Sequence, residues 1–169
     1  MKVFKRILFL LTVMTLIACG GKEEKQEEKI KLKSTKTETK KEPVSTTKAS
    51  EVVDLTNKGI GPVKELKLPE SIDMAMAKEG EEAFKLKCMA CHKPDRKFIG
   101  PSPLNILERR TPEWVMNMIL NPQEMVEKDP LAKQLLIEFN GSPMANQSLT
   151  EQEARSILEY FRTIEPETK

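Results

Sequence analysis

Residues 71 to 169 predict a small all-α domain of four to five helices. From Ser71 on, apolar residues recur at three- and four-residue steps, the spacing of one helix face. Helix-start signals open separate segments at Thr111-Pro112, Asp129-Pro130 and Thr150. No run alternates as a half-buried strand does, and no internal repeat is visible.

The chain divides into four stretches. Residues 1–18 read as a signal peptide: Lys2, Lys5 and Arg6 form a basic start, and Ile7 to Ala18 is apolar except for Thr12 and Thr15. That run falls short of the roughly 20 residues of a membrane span. It ends Leu16-Ile17-Ala18-Cys19, which resembles the lipobox of bacterial lipoproteins. The resemblance implies cleavage before Cys19, lipidation of its thiol, and an anchor of several acyl chains. Residues 19–50 follow as a lipidated start and a tether of Lys, Glu, Thr and Ser. With almost no aliphatic side chain it cannot offset its ordering entropy, so disorder is expected. As coil, the roughly 50 residues to Glu70 span about 40 Å. Residues 51–70 carry Gly59, Gly61, Pro62 and Pro69 and read as an irregular arm lying against the domain.

In the domain itself, Met76, Ala77, Gly80, Ala83, Phe84 and Lys87 share a helix face that runs into Cys88. Thr111 caps a helix with Pro112 at its first position, which ends before Pro122. Asp129-Pro130 opens a helix through Phe139, stopped by Asn140-Gly141. Thr150 to Glu153 is a capping box before the stripe Ala154, Ile157, Leu158, Phe161, Ile164. Charged residues make up 32% of the chain and aromatics only 5%. A small domain closed over a large apolar cofactor suits that supply better than a core spread over the whole length. The net charge of +2 and the lack of a basic block interleaved with aromatics argue against nucleic acid as a partner.

Cys88-Met89-Ala90-Cys91-His92 is the sharpest motif. Two thiols at this spacing add across the two vinyl groups of a haem, and the next residue sets its imidazole beneath the iron. A thioredoxin-like redox pair would need a βαβ setting that the chain lacks. A zinc site would need about four ligands, and only Cys88, Cys91 and His92 remain once Cys19 is lipidated. One covalent haem c is therefore expected. The single histidine excludes two-histidine ligation within one chain, leaving methionine, lysine, water or nothing as sixth ligand. Met74, Met76, Met116 and Met118 lie in helical patterns, where methionine fills cores. Met89 is held on the His92 side, and Met125 sits in a short polar stretch. Met144, in the loop Gly141-Ser142-Pro143-Met144, is placed to approach the iron from the opposite side.

From about Ser71 to Ile164 the chain resembles the class I cytochrome c family. The resemblance rests on Gly80 and Phe84 before the CMACH motif and on Phe98-Ile99-Gly100-Pro101 after it. The Met144 loop and a last helix bearing Tyr160 and Phe161 complete it. It implies a fold in which the first and last helices cross through Gly80, Phe84, Tyr160 and Phe161. It also implies a Pro101 carbonyl that accepts the His92 ring N–H. Trp114, Arg109 and Arg110 are the matching candidates for the haem propionates, Trp114 being equally readable as core. The arm before Ser71 and the insert from Asn121 to Phe139 exceed a minimal member. The small cytochromes that accompany denitrification reductases, nitrous oxide reductase especially, are similar in kind.

Two filled axial positions leave no place for substrate, so single-electron transfer is the expected function, not enzymatic turnover. The alternative is a haem-based gas or redox sensor with a displaceable sixth ligand; a third is a fixed subunit of a reductase or oxidase. Lys85 to Arg110 carries seven basic residues against Asp95 and Glu108, a net +5, whereas Thr111 to Lys169 is −5. Such asymmetry suits a redox donor or acceptor with an acidic docking surface. With the lipid anchor, the expected place is the bacterial cell envelope, facing the periplasm or the cell exterior.

Overall fold

The computed structural model describes residues 47–166. The expected signal peptide, the lipidation site Cys19 and the tether up to residue 46 lie outside the described residues. The described chain forms five α-helices and one short 3₁₀ turn, joined by loops. Among the described residues, no helix is long and apolar enough to cross a membrane.

α1 spans Met74–Lys87. Asp73 caps it by accepting the N–H groups of Ala75 and Met76, each at 3.0 Å. Its buried face is Ala77, Gly80 and Phe84. Met74, expected as core filler, is 66% exposed because it sits in the first turn before that face begins. α5 spans Glu151–Phe161, and Thr150 and Glu153 cap each other reciprocally, as the sequence pattern requires. The two helices cross at Gly80. A Cβ there would stand 1.8 Å from the Ser156 carbonyl oxygen, so only glycine permits the approach. Phe84 fills the crossing against Tyr160 and Phe161, with ring centroids 5.5 and 5.6 Å away. Each such pair adds about 0.5–1.5 kcal/mol beyond area burial.

Glu159, fully buried on α5, ties the crossing to the chain before it. It accepts the Asp73 N–H at 2.8 Å and pairs with Arg155 and Arg162 at 2.5 and 2.7 Å. Burial alone would raise its pKa, but the Asp73 N–H and the two guanidinium groups outweigh it and hold the carboxyl below its ordinary value. Arg162 donates in turn to the Pro69 and Glu70 carbonyls.

The 3₁₀ turn Ile106–Glu108 leads into α2, Pro112–Leu120, capped by the Thr111 hydroxyl on the Trp114 N–H at 3.1 Å. α3 spans Pro122–Lys128 and α4 spans Pro130–Glu138, with Asp129 as the α4 cap. α3 adds a helix where the sequence reading named only a short polar stretch. Pro122 supplies the favoured first position, and the seven-residue helix is too short for a readable period. Left-handed Asn140 and Gly141 end α4, and the Gly141 N–H closes onto the Leu136 carbonyl at 2.8 Å.

The arm over residues 51–70 has no helix or strand, yet it is fastened along α2 within the same compact unit. Asn117 donates to the Lys58 and Val63 carbonyls and accepts the Val63 N–H. Gly61 leaves room for this contact, since a Cβ would stand 2.4 Å from the Asn117 oxygen and push that side chain away. Asn57 donates to Asp129 at 2.7 Å, and Glu113 accepts the Leu66 N–H. The packing begins earlier than the sequence reading placed it. Ala49 is buried, and the Ser50 N–H and hydroxyl both donate to Glu138, at 2.8 and 2.6 Å.

Candidate functional site

A cavity of about 580 Å³ opens between the end of α1, the loop after it, α2, α4 and the loop before α5. That lies within the size range of small-molecule and cofactor sites. Cys88, Cys91, His92, Pro101, Trp114 and Met144, expected from sequence to serve one site, all line it.

α1 ends in a single tight turn, in which the Cys91 and His92 N–H groups both return to the Cys88 carbonyl at 3.0 and 2.9 Å. The turn brings both thiols and the imidazole to the same cavity wall. Cys88 is half-buried and Cys91 exposed. Burial pushes the Cys88 thiol up to about 11. The His92 ring is oriented by its backbone neighbours: Nδ1 lies 2.7 Å from the Pro101 carbonyl oxygen. A carbonyl can only accept, so Nδ1 carries a proton, and Nε2 is the ring nitrogen left to meet a metal. Gly100 lies flat against the ring, where a Cβ would stand 2.5 Å from Cε1. The Gly100 N–H reaches the Cys91 carbonyl at 2.8 Å, and Ser102 joins the Pro94 carbonyl to the Leu104 N–H. The loop under the histidine is thus pinned at several points.

Met144 is half-buried on the segment between α4 and α5. The hydrogen bonds of that segment are local: Ser142 to Phe139, Gln147 to Ala145, and Ser148 to Asn146. Met125 is no rival. It is fully buried in α3, does not line the cavity, and its sulfur accepts the Ile60 N–H at 3.0 Å. Met118 does line the cavity, although its helical spacing suggested core filler.

Trp114 forms an apolar wall, and its indole N–H goes to Asp129 at 3.3 Å. The hydrogen bond to a cofactor carboxylate expected of it is therefore unavailable. Arg109 and Arg110 remain. Arg109 donates to the Leu104 and Asn105 carbonyls, and Arg110 to those of Ala49, Val52 and Arg109. Both line the cavity, and both keep a buried Nε–H with no partner in the protein. Both guanidinium groups put positive charge beside the cavity, which suits the carboxylates of a haem. With paired thiols, an oriented imidazole and apolar walls from Ile106, Val126, Leu135 and Phe139, the donor set fits a haem.

Sequence reasoning missed Ser50 and Glu51, which also line the cavity; nothing in a Lys/Thr/Ser-rich stretch marks them out. It also missed Lys97, whose ammonium sits 4.5 Å above the Phe139 ring at the cavity.

A family model described as Cytochrome c matches residues 77–165. Among solved structures, a cytochrome c from Rhodothermus marinus is 42% identical, with 69% of this chain and 93% of that chain covered and a TM-score of 0.59. An engineered cytochrome c from the same organism is 41% identical, covered over 69% and 94%, with a TM-score of 0.59. The same engineered protein bound to a carbene intermediate has a TM-score of 0.57 at the same identity and coverage. No curated protein matches the chain.

Proposed function

The chain belongs to the cytochrome c family and is a small class I electron-transfer protein with one covalent haem c; on that premise we propose a membrane-tethered, single-electron carrier of a respiratory chain. Cys88 and Cys91 form the thioethers, and His92 and Met144 are the axial ligands. When bound, the haem supplies a one-electron Fe(III)/Fe(II) couple.

The observation that carries the ligand assignment is the His92 ring, locked between Gly100 and the Pro101 carbonyl with Nε2 left to bind iron. The carbonyl partner raises the basicity of the imidazole and fixes its plane. Met144 brings a soft sulfur to the same cavity on a segment that no helix constrains. Arg109 and Arg110, which line the cavity, would put their positive charge near the propionates. Trp114 and its neighbours exclude water, which keeps the environment of the two redox states alike.

Docking falls to the surface around the exposed Cys91. Leu86 and Phe98 are 86 and 50% exposed, in a stretch that also carries Lys85, Lys87, Lys93 and Lys97. Lys93 stands 5.0 Å above the Phe98 ring. Exposed apolar side chains among cations suit a redox partner with an acidic rim. The lipobox-like Cys19 supplies the anchor, which puts the domain on the outer side of a bacterial membrane.

The runner-up is a haem-based gas or redox sensor, favoured by one observation, the purely local hydrogen bonding of the Met144 segment. A redox-monitored visible spectrum of the holoprotein separates the two. A carrier shows the weak red-edge band of methionine-ligated ferric haem and resists carbon monoxide. Absence of that band, with rapid carbon monoxide binding, would refute the carrier reading.

A further inference from the structure

We propose that Asp129 sets the reduction potential: its buried carboxylate, held behind the Trp114 wall of the cavity, favours the ferric state of the cofactor and keeps the potential down. The proposal rests on the haem reading above.

Asp129 occupies the single residue between α3 and α4 and is 3% exposed. As the α4 cap it accepts the Ala132 N–H at 2.7 Å. A cap needs no more than that, yet two further donors converge on the same carboxylate. The Asn57 amide donates from the arm at 2.7 Å, and the Trp114 indole N–H donates from α2 at 3.3 Å. Among the described residues Asp129 makes no ion pair. A buried charge without a paired counter-ion is costly, and three charge-assisted hydrogen bonds are what hold it there. Most helix caps lie at the surface, where water screens them; this one does not.

The carboxylate stands close to the cofactor site without opening into it. Trp114, Val126 and Ala132 line the cavity, whereas Asp129 does not. The indole therefore separates the charge from the cavity and touches both. Asp129 also belongs to the stretch from Asn121 to Phe139 that exceeds a minimal member of the family. That stretch brings an acceptor of the protein's own to the indole N–H, which the family resemblance assigned to a cofactor carboxylate.

The sign follows from charge. The ferric state carries one more positive charge than the ferrous state, and the electron that separates them comes from the redox donor and leaves to the acceptor. A fixed negative charge nearby favours the ferric state, and more strongly where water is excluded. Neutralising Asp129 removes that preference. It also leaves the field of Arg110, whose guanidinium lies 5.2 Å from the Trp114 ring centre, without an opposing charge at the indole N–H. Both effects favour Fe(II) and raise the potential.

The test is a redox titration of the full-length holoprotein. Asp129→Asn and Asp129→Ser both remove the charge, and both residues cap helices about as well as aspartate, so α4 should keep its start. Each should raise the ferrous-to-ferric ratio at fixed ambient potential by about threefold or more, roughly 28 mV at about 59 mV per tenfold change. The two variants should agree within about 1.5-fold, and the shift should persist at about 1 M salt, because a buried charge is screened far less than an exposed one. Asn57→Ala removes a donor from the same carboxylate but leaves the charge, so it should move the ratio by less than about 1.5-fold. If one neutral variant yields no holoprotein, the other decides the sign alone. An unchanged or lowered potential, a shift abolished by salt, or an equal shift in Asn57→Ala overturns the proposal; the last would mean that packing at the junction matters and the charge does not. A wild type without covalent haem or without the methionine band would overturn the cofactor reading instead.

Discussion

Gly100→Ala probes how the histidine is held. The added Cβ would stand 2.5 Å from His92 Cε1 and 2.9 Å from Nδ1. Ordinary contact begins at 3.4 Å, so the ring must retreat by roughly 0.9 Å. The Nδ1 bond to the Pro101 carbonyl is 2.7 Å long. A retreat of that size along the ring normal lengthens the bond little but tilts it out of the ring plane, which weakens it. A bond of this kind contributes about 1–1.5 kcal/mol net. Removing a partner behind a metal ligand typically weakens the metal site by about 10-fold or more, on the order of 1.4 kcal/mol.

That loss is not shared equally between oxidation states. The hydrogen bond makes the imidazole a stronger donor, and the ferric ion profits more from a strong donor. If the ferrous state loses about half of what the ferric state loses, the difference is about 0.7 kcal/mol, an upward shift of roughly 30 mV. A redox titration of the purified variant reads it directly. An unchanged or lowered potential, with the variant folded and its haem attached, would refute the reasoning. The ring would then be held by something other than the Gly100–Pro101 backbone.

Other perturbations test separate parts of the structure. Met144→Ala should open a coordination position, so that the variant binds carbon monoxide or imidazole readily and its potential falls through loss of a sulfur that favours Fe(II); titration with imidazole checks both. Cys19→Ser should release the protein from the membrane fraction with its spectrum unchanged, and a variant still bound at high salt would point to the apolar segment as anchor. Gly80→Ala should destabilise the holoprotein by about 2 kcal/mol in a denaturant titration, an overpacking cost of about 3 kcal/mol offset by about 1 kcal/mol of helix propensity. Glu159 is held below the ordinary glutamate pKa of 4.5, so its contribution is complete above that value and is lost as pH falls through its folded pKa. Glu159→Gln should therefore cost about 3 kcal/mol at neutral pH and flatten the acid limb of a stability–pH curve.

What the sequence made legible was local. Thr111, Asp129 and Thr150 announce their helices because a cap is a hydrogen bond across three residues, visible in any short window. The cysteine pair and His92 are legible for a similar reason, since their chemistry fixes their spacing. Gly80 and Phe84 were found through family resemblance, and the crossing with Ser156, Tyr160 and Phe161 explains them physically. The arm was not legible beyond its irregularity. Its fastening depends on Asn117 meeting the backbone of Lys58 and Val63, more than fifty residues away, and on Ser50 meeting Glu138. Polar side chains bonded to distant backbone leave no period. Trp114 shows the same limit: its burial was foreseeable, but the engagement of its N–H by Asp129 depends on where α3 sends the chain.

The two sides of the cavity are held by different means, and this bears on how the site works. Beneath His92, Gly100, Pro101 and Ser102 all contribute backbone or hydroxyl bonds that cross between loop segments. On the Met144 side the bonds stay within the segment, between left-handed Asn140 and Gly141 at one end and left-handed Ser148 at the other. The tertiary attachment of that segment is apolar contact together with the proposed sulfur–iron bond. A one-electron carrier benefits when both ligands keep their distance in both oxidation states. The His92 side achieves this through the protein, whereas under the proposed ligation the Met144 side would need the iron itself as its anchor. Loss of the sulfur should therefore loosen residues 140–149 while leaving the Gly80 crossing and the α2 arm contacts intact. Amide exchange in Met144→Ala should rise across that segment alone. Protection lost at α1 and α5 as well would show that the segment also supports the fold, and the division between a rigid and a metal-anchored side would fail.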